Sequence, residues 1–387
     1  MKNTQHMKNY PFIFPAFYVL IYMALAVFSV FLPVYLDSLE YSGTQIGILL
    51  AIGSFVAIFS QPFWGIACDR AKTKNSVIKL LLIMTSFIML LFYLSESFYY
   101  LFFILVILSF FQTPVFPISD AITLEYMAPT RWKFGPIRLA GTMGYALMAV
   151  IAGAIIDKNI SGIFFISFLL GLVTFSSVFK IPKVKGHQAT GRKISIIELF
   201  KNKELMIFMG FTVAIHSTLA FYNTFFGIYY TGIGADSSLL GWAIFIASVS
   251  EVFFLLWGDR VIDKLGIKST LLGAGLICAI RWGVLGLSNN IYIIMLSQVL
   301  HGFTFIVLAY SMATYINNEV PKELRASGQT LNAVICLGLS RIIGSIGGGI
   351  FSDFVGVKQV FLYASLIIFL SLCIFKLIFK YSNLQKT

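Results

Sequence analysis

The sequence has 387 residues, of which 58% are hydrophobic and only 11% are charged, with a formal net charge of +12. Soluble proteins carry about 25% charged residues, so this composition excludes a soluble fold and predicts an all-α membrane protein in a lipid bilayer. The basic residues lie in short loops rather than on a stripe or in a tail, which excludes nucleic acid as a partner.

Twelve apolar runs are long enough to cross a bilayer, since a spanning helix needs roughly 20 residues. The predicted spans are 11–36, 44–67, 76–95, 99–126, 135–156, 161–179, 205–230, 239–258, 269–287, 291–318, 327–350 and 360–381. A polar stretch at 181–204 predicts a cytoplasmic linker, which divides the chain into two six-helix bundles, 1–180 and 205–387.

The loop charges predict the orientation of the chain. Basic residues concentrate in alternate loops, and they are Arg70, Lys72, Lys74, Lys79, Arg131, Lys133, Arg260, Lys264, Lys268, Lys322 and Arg325. The opposite loops hold only Lys158 and Lys358, beside several acids. By the positive-inside rule, both termini are expected in the cytoplasm of a multi-pass protein of the plasma (inner) membrane, with the first span retained.

One loop pattern occurs in both halves, between the second and third spans of each. Its residues are Gly65, Asp69, Arg70 and Lys74 in the first half, and Asp263, Lys264, Gly266 and Lys268 in the second. Six spans in each half with this pattern resemble the major facilitator superfamily; Lys72 and Asp259 depart from its signature. The resemblance implies that Asp69 and Asp263 cap or salt-bridge helix ends and lock the inward gate. A positive-inside loop with an acid at a helix terminus remains the alternative.

Charged residues inside the predicted spans are few, and they are Asp120, Arg138, Glu251, Arg281 and Arg341. Each ionised group at mid-membrane costs at least ~2.5–3.5 kcal/mol, and arginine does not shed its charge. Each arginine therefore needs an acid or a water-filled cavity. Because Asp120, Glu251 and Glu125 are the acids available, we expect one central polar cavity.

Asp120 and Arg138 stand 18 residues apart across the hairpin of spans four and five, and Tyr145 follows Arg138 by seven residues. Seven residues are two helical turns, so Arg138 and Tyr145 share a face. These positions resemble those of the lactose permease-like proton symporters and the related phenylpropionate permease branch. The resemblance implies a substrate site in which Asp120 accepts hydroxyl hydrogen bonds, Arg138 donates them and Tyr145 stacks on a sugar ring. A structural ion pair that joins spans four and five is the alternative.

Glu251, Arg281 and His301 lie in spans eight, nine and ten, with 20 residues between Arg281 and His301. They resemble the coupling cluster of the same permeases, which implies a carboxylate that is alternately protonated and an arginine that sets its proton affinity. Those permeases have a second acid one turn after the histidine, where this chain has Thr304. Glu251 or Asp120 is therefore expected to carry the proton, with His301 either a relay or a packing residue.

Arg341 in span eleven has no acid assigned to it, since span seven offers only His216, and it is expected to reach the substrate. Three arginines against two acids favour an anionic substrate, such as an aromatic carboxylate, over a neutral sugar.

Glycines in two of the spans predict that neighbouring helices approach each other closely, and they are Gly141, Gly144, Gly344 and Gly348. Prolines within or at the spans predict bends, and they are Pro33, Pro62, Pro114, Pro117 and Pro136.

The sequence thus predicts a secondary active transporter, not an enzyme, with no cofactor. The expected activity is proton-coupled symport of a small polar organic solute, a sugar or glycoside or an aromatic carboxylate, by alternating access in a monomer. The four cysteines lack metal-like spacing, and no glycine-rich phosphate loop precedes a lysine. A proton-driven exporter on the same fold and a non-transporting membrane sensor or scaffold remain alternatives.

Overall fold

The computed structural model describes residues 11–130, 132–157, 159–184, 197–200, 202–321 and 324–384. These residues form helices and turns, with no strand among them, which confirms the all-α class. Most of the predicted linker (185–196 and 201) lies outside the described residues, as do the loop residues Arg131, Lys158 and Lys322.

Within the described ranges, eleven helices are long and apolar enough to cross a membrane. One of them, Ser237–Leu287, has 51 residues and consists of two helices that meet at Gly266, where φ is 76° and ψ is 156°. This helix therefore supplies two spans, and the predicted number of twelve is confirmed.

The helices of the first half follow one another closely along the chain. They are α1 (Ile13–Ser38), α2 (Gly43–Arg70), α3 (Lys74–Leu91), α4 (Phe98–Gln112), α5 (Val115–Met127), α6 (Gly135–Ile156) and α7 (Gly162–Ser177), followed by a 3-10 turn at Val178–Lys180. The fourth span is divided between α4 and α5 at Thr113 and Pro114, and proline lacks the backbone N–H that a continuous helix would use there. The bend predicted at this proline stays a prediction.

The helices of the second half are less regular. They are α8 (Ile197–Phe200), α9 (Lys203–Gly232), α10 (Ser237–Leu287), α11 (Ile291–Ser297), α12 (Phe305–Glu319), α13 (Arg325–Asn332), α14 (Ser340–Ile342), α15 (Gly348–Val355) and α16 (Val357–Leu384). A 3-10 segment, Gln298–Phe303, separates α11 from α12, and two π-helical segments, Ala333–Leu339 and Ile343–Gly347, flank α14. Such interruptions within a span often occur at functional sites.

The loop predicted between spans eight and nine is helical, which corrects the placement of its signature residues. Helix α10 continues through Asp259, Asp263 and Lys264 to Gly266. The stretch from Asp259 to Leu265 contains neither glycine nor proline, so nothing in it ends a helix. Gly266 interrupts the helix because its positive φ is a conformation that side chains with a Cβ rarely adopt.

The chain forms two compact units. The first comprises Met1–Leu39, Ile52–Gly191 and Ser237–Gly241, and the second comprises Glu40–Ala51, Arg192–Asp236 and Trp242–Thr387. Helices α2 and α10 each contribute their first residues to one unit and the following ones to the other.

In the first unit, two glycines allow α6 to lie directly against α1. A Cβ on Gly144 would lie 2.8 Å from the carbonyl oxygen of Val19, and one on Gly141 would lie 2.7 Å from the ring of Tyr22. Gly144 therefore fits against the Val19 backbone because it has no side chain, and Gly141 leaves room for the Tyr22 ring. The predicted role of both glycines in helix packing is confirmed.

In the second unit, Gly344 and Gly348 make the equivalent approach to α9. A Cβ on Gly344 would overlap the carbonyl oxygen of Ser217, and one on Gly348 would overlap the ring of Phe221. The prediction of close packing is confirmed here as well.

Aspartates from distant spans cap two helix N-termini. Asp353 of α15 accepts hydrogen bonds from the backbone N–H groups of Gly43 (2.6 Å) and Thr44 (2.9 Å) and from the Thr44 hydroxyl (2.5 Å), all at the start of α2. Asp157, directly after α6, accepts one from the N–H of Ser237 at the start of α10 (3.1 Å). These N–H groups have no partner within their own helices, so the carboxylates satisfy them.

We expect Asp353→Ala to lower the free energy of unfolding by about 1 kcal/mol, the usual effect of removing a helix cap. Asp353→Asn keeps one acceptor oxygen and should lose less. Thermal unfolding of both variants in detergent checks this, and an Asp353→Ala midpoint equal to that of the wild type would contradict it.

Candidate functional site

In the first unit, Asp120 of α5 is held between two donors. The Tyr18 hydroxyl donates to Oδ1 at 2.5 Å, and Arg138 Nη1 donates to Oδ2 at 3.4 Å. The contact predicted between Asp120 and Arg138 is therefore present. Their side chains remain 31% and 46% exposed, respectively, so the pair can still form hydrogen bonds to another molecule.

Arg138 and Tyr145 both meet α1. The Arg138 guanidinium lies 5.3 Å from the ring centroid of Tyr22, and the Tyr145 hydroxyl lies 3.2 Å from Ser29 Oγ. Tyr22 and Ser29 are also seven residues apart, so the two contacts are two turns apart on both helices. This confirms that Arg138 and Tyr145 share one face of α6.

The sequence reasoning did not single out Tyr18, Tyr22 or Ser29, because it considered mainly charged residues. Their spacing carried a signal. Tyr18 and Tyr22 are one turn apart, and Ser29 lies two turns after Tyr22 in an otherwise apolar helix. A polar face on the first span was therefore recognisable.

In the second unit, Glu251, Arg281 and His301 come together as predicted. His301 Nε2 lies 3.2 Å from Glu251 Oε1, and Arg281 Nη1 lies 2.7 Å from His301 Nδ1. Both ring nitrogens thus have polar partners, which argues against a mere packing role for His301. Glu251 and His301 are largely buried, with side chains 17% and 14% exposed.

A glycine next to the histidine lets the two helices meet. A Cβ on Gly302 would overlap the backbone of Ser250, and the Gly302 N–H donates to Ser250 Oγ at 2.8 Å. Since Glu251 follows Ser250, this close approach brings its carboxylate to His301.

The geometry assigns the histidine tautomer. Arginine can only donate hydrogen bonds, so the Nδ1 atom facing Arg281 must accept and carries no proton. The proton of a neutral ring then lies on Nε2, from which His301 donates to Glu251. Arg281, neutral His301 and Glu251 form one hydrogen-bonded chain.

Two residues that sequence reasoning missed complete this cluster. Gln298 Oε1 accepts from Arg281 Nη2 at 2.5 Å and from the Tyr222 hydroxyl at 2.7 Å. The Arg281 guanidinium lies 4.1 Å from the Tyr222 ring centroid, and Arg281 is completely buried. Gln298 stands three residues before His301, one helical turn, and that spacing was the available signal.

Thr304, which occupies the position of the family's second acid, does not join the cluster. It is buried, and its hydroxyl donates to the carbonyl oxygen of His301 at 2.7 Å. It therefore stabilises the backbone turn after His301, where the 3-10 segment ends.

Arg341 lies on the three-residue helix α14 between the two π-helical segments, and it is exposed. Its role in substrate binding stays a prediction. His216 is buried in α9, and its ring makes a T-shaped contact with Phe305 at a centroid distance of 5.8 Å.

Two signature residues of the first half, Asp69 and Lys74, form an ion cluster with Glu125. Helix α2 includes Gly65 and ends at Arg70, and Lys74 begins α3. Lys74 is buried, pairs with Glu125 of α5 and lies 3.9 Å from Asp69. The salt bridge implied for Asp69 is thus present.

The second half differs from the first. There, Asp259 accepts a hydrogen bond from Tyr310 of α12. Asp263 and Lys264 are exposed, and Lys268 is half-buried at the start of the helix after Gly266. Asp259, which departs from the family signature, is therefore the acid that joins two spans in this half.

Twelve apolar spans arranged in this fold, with a cluster of charged side chains inside each unit, define a multi-pass membrane transporter. Among the described residues, no three His, Cys, Asp or Glu side chains come together as metal ligands. The chain matches the MFS_1 like family over residues 12–363 and belongs to it. It is a secondary transporter and not an enzyme.

The similarity to known proteins covers nearly the whole chain. YwbF, an uncharacterized transporter of Bacillus subtilis (strain 168), is 27% identical over 371 residues, 94% of this chain and 91% of that protein. The maltose permease of Geobacillus stearothermophilus is 24% identical over 357 residues, 92% and 91% of the two chains. A mutant form of the nucleoside transporter NupG has the same fold, with a TM-score of 0.88 at 18% identity over 95% of this chain and 99% of that one.

Nitrogen NMR of ¹⁵N-histidine-labelled protein in lipid tests the tautomer. At pH 7 we expect His301 to show one protonated and one unprotonated ring nitrogen, because Arg281 excludes a proton from Nδ1. The difference between wild type and His301→Gln assigns the signal among the four histidines. Two protonated nitrogens would contradict the assignment.

Proposed function

We propose that this transporter is a proton-coupled symporter of a neutral, polyhydroxylated solute, a sugar or a glycoside such as a nucleoside. It works by alternating access as a monomer, with both termini on the cytoplasmic side of the plasma membrane. The observation that carries the proposal is the half-exposed Asp120–Arg138 pair, bounded by Tyr18 and Tyr22 of α1.

The substrate class follows from the chemistry of that pair. Each Asp120 oxygen accepts one protein hydrogen bond, and a carboxylate has about four lone-pair sites, so it can still accept from substrate hydroxyls. The exposed Arg138 offers further N–H donors. Tyr145 supplies an aromatic face, and its hydrogen bond to Ser29 orients the ring.

The structure weakens the argument for an anionic substrate. Arg281 is enclosed and already donates to Gln298 and His301, while Arg138 is paired with Asp120. The charges of Arg138 and Arg281 are therefore already engaged by protein groups. The maltose permease and the nucleoside transporter act, by their names, on polyhydroxylated molecules, which supports the neutral class.

The geometry favours Glu251 over its rivals as the proton carrier. His301 cannot take a second proton while Arg281 faces Nδ1. Asp120 is assigned to the solute, whose hydroxyl groups take its remaining lone pairs. In the described part of the chain, Glu251 is bonded through Oε1, which leaves Oε2 to receive a proton. With Glu251 as a carboxylate, the chain of Arg281, His301 and Glu251 carries no net charge. Protonation turns it into a buried positive charge, and we propose that this change couples the proton to conformation.

The gating role of the loop signature is also part of the proposal. The buried Lys74 joins Asp69 to Glu125, so the ends of α2, α3 and α5 are linked by charge. We propose that these three helix ends move together when the inward gate opens and closes. In the second half, we propose the same gating role for Asp263, Lys264, Gly266 and Lys268.

We expect Asp120→Asn and Arg138→Ala each to abolish uptake while membrane insertion is unchanged, since each removes half of the pair that binds the solute. The solute is identified by a thermal-shift screen of purified protein with disaccharides, nucleosides and aromatic acids. Glu40→Gln, at an exposed position, is the control. Near-normal uptake by either site variant would show that the pair is only structural.

Proton coupling predicts that a protonophore collapses solute accumulation. Glu251→Gln mimics a permanently protonated carboxyl group, so it should still exchange solute across the membrane but no longer concentrate it. Both measurements use proteoliposomes with an imposed pH gradient. Accumulation that resists the protonophore would remove the proton from the mechanism.

A further inference from the structure

We propose that Gln298 is a positioning residue for proton coupling. It holds the Arg281 guanidinium against His301 and thereby fixes the ring nitrogen that donates to Glu251. This inference rests on the proton coupling proposed above.

The Gln298 side chain has one possible orientation. Its Oε1 accepts from Arg281 and Tyr222, and its Nε2 donates to the carbonyl oxygen of Ile294 at 2.9 Å. A flipped amide would present an NH₂ group to arginine, which has no acceptor. Gln298 is completely buried, so water does not compete for these bonds.

Arg281 depends on this amide. Its Nε is buried and has no hydrogen-bond partner among the described residues. Within this part of the chain, the guanidinium donates to Gln298 Oε1 and His301 Nδ1. The rings of Tyr222 and Trp282 add contacts to the cation, at 4.1 and 5.0 Å from their centroids. With Nη2 anchored on Gln298, Nη1 is directed at the histidine.

Arg281 lies in the part of α10 after Gly266, and ionisable groups from three other segments surround it. Tyr222 faces it from α9, Glu251 from the first part of α10 and His301 from the 3-10 segment, while Cys278 lies one turn earlier on the same helix. Glu251 is the acid of this group. The Arg281 charge therefore acts on Glu251 across His301.

A neutral amide suits this task better than an acid. A carboxylate at position 298 would pair with Arg281 directly and cancel much of its field at Glu251. The glutamine holds the guanidinium in place by hydrogen bonds and leaves its charge free to act on Glu251 through His301.

The test compares Gln298→Glu and Gln298→Leu with the wild type in proteoliposomes, using the solute found by the screen. For Gln298→Glu, the pH at which uptake falls by half on the alkaline side should move upward by about one unit, because Glu251 then feels less positive charge. For Gln298→Leu, accumulation should fall at least tenfold while solute exchange persists. Gln359→Glu makes the same chemical change at an exposed position of α16 and should leave the profile unchanged.

A second readout does not depend on transport. In Gln298→Leu, the NMR signals of His301 should no longer show a single fixed tautomer, whereas Gln298→Glu should retain one. A wild-type tautomer in Gln298→Leu, or a Gln298→Glu pH profile that superimposes on that of the wild type, would overturn the inference. If Gln298→Leu does not fold, the Gln298→Glu profile decides.

The two proposals fail in different ways. Protonophore-resistant accumulation by the wild type would refute proton coupling and, with it, this role of Gln298. Protonophore-sensitive wild-type protein combined with unchanged Gln298 variants would refute only the positioning role.

Discussion

A guanidinium completely enclosed by membrane-spanning helices must find its hydrogen-bond acceptors within the protein, because neither lipid nor water supplies them there. Arg281 meets this constraint with Gln298 and His301, and the local structure of the second unit follows from it. Both acceptors lie on the 3-10 segment of span ten. Gly302, on the same segment, allows the contact with Ser250 that places Glu251 beside the histidine.

The two polar clusters differ in exposure, and that difference separates their chemistry. Arg138 and Asp120 keep a large part of their side chains accessible. The hydrogen bond between them can therefore be replaced by hydrogen bonds to a ligand. Arg281 has no exposed surface, so a solute cannot reach it without a rearrangement of the helices. The exposed Asp120–Arg138 pair is suited to binding a solute. The buried cluster of Arg281, His301 and Glu251 is suited to a change of protonation that the solute does not touch.

Hydropathy located the spans well, because crossing a bilayer demands a long apolar helix whatever its neighbours are. Hydropathy failed at the polar stretch around Asp259 and Asp263, because a charged segment need not be a loop. The charges there predicted a loop, but the chain is helical as far as Gly266. The charged members of both clusters stood out because charges are rare in spans. Tyr18, Ser29 and Gln298 did not, since uncharged polar side chains are common in such helices and show their importance only through their partners.

The sequence by itself determined the class of protein, the number of spans and the set of charges that must be accommodated inside them. It also placed Arg138 and Tyr145 on one face, since helical periodicity requires it. Only the tertiary structure decided which nitrogen of His301 bears the proton and which amide anchors Arg281. Those choices depend on the register between neighbouring helices, and close packing at positions such as Gly302 and Ser250 sets that register.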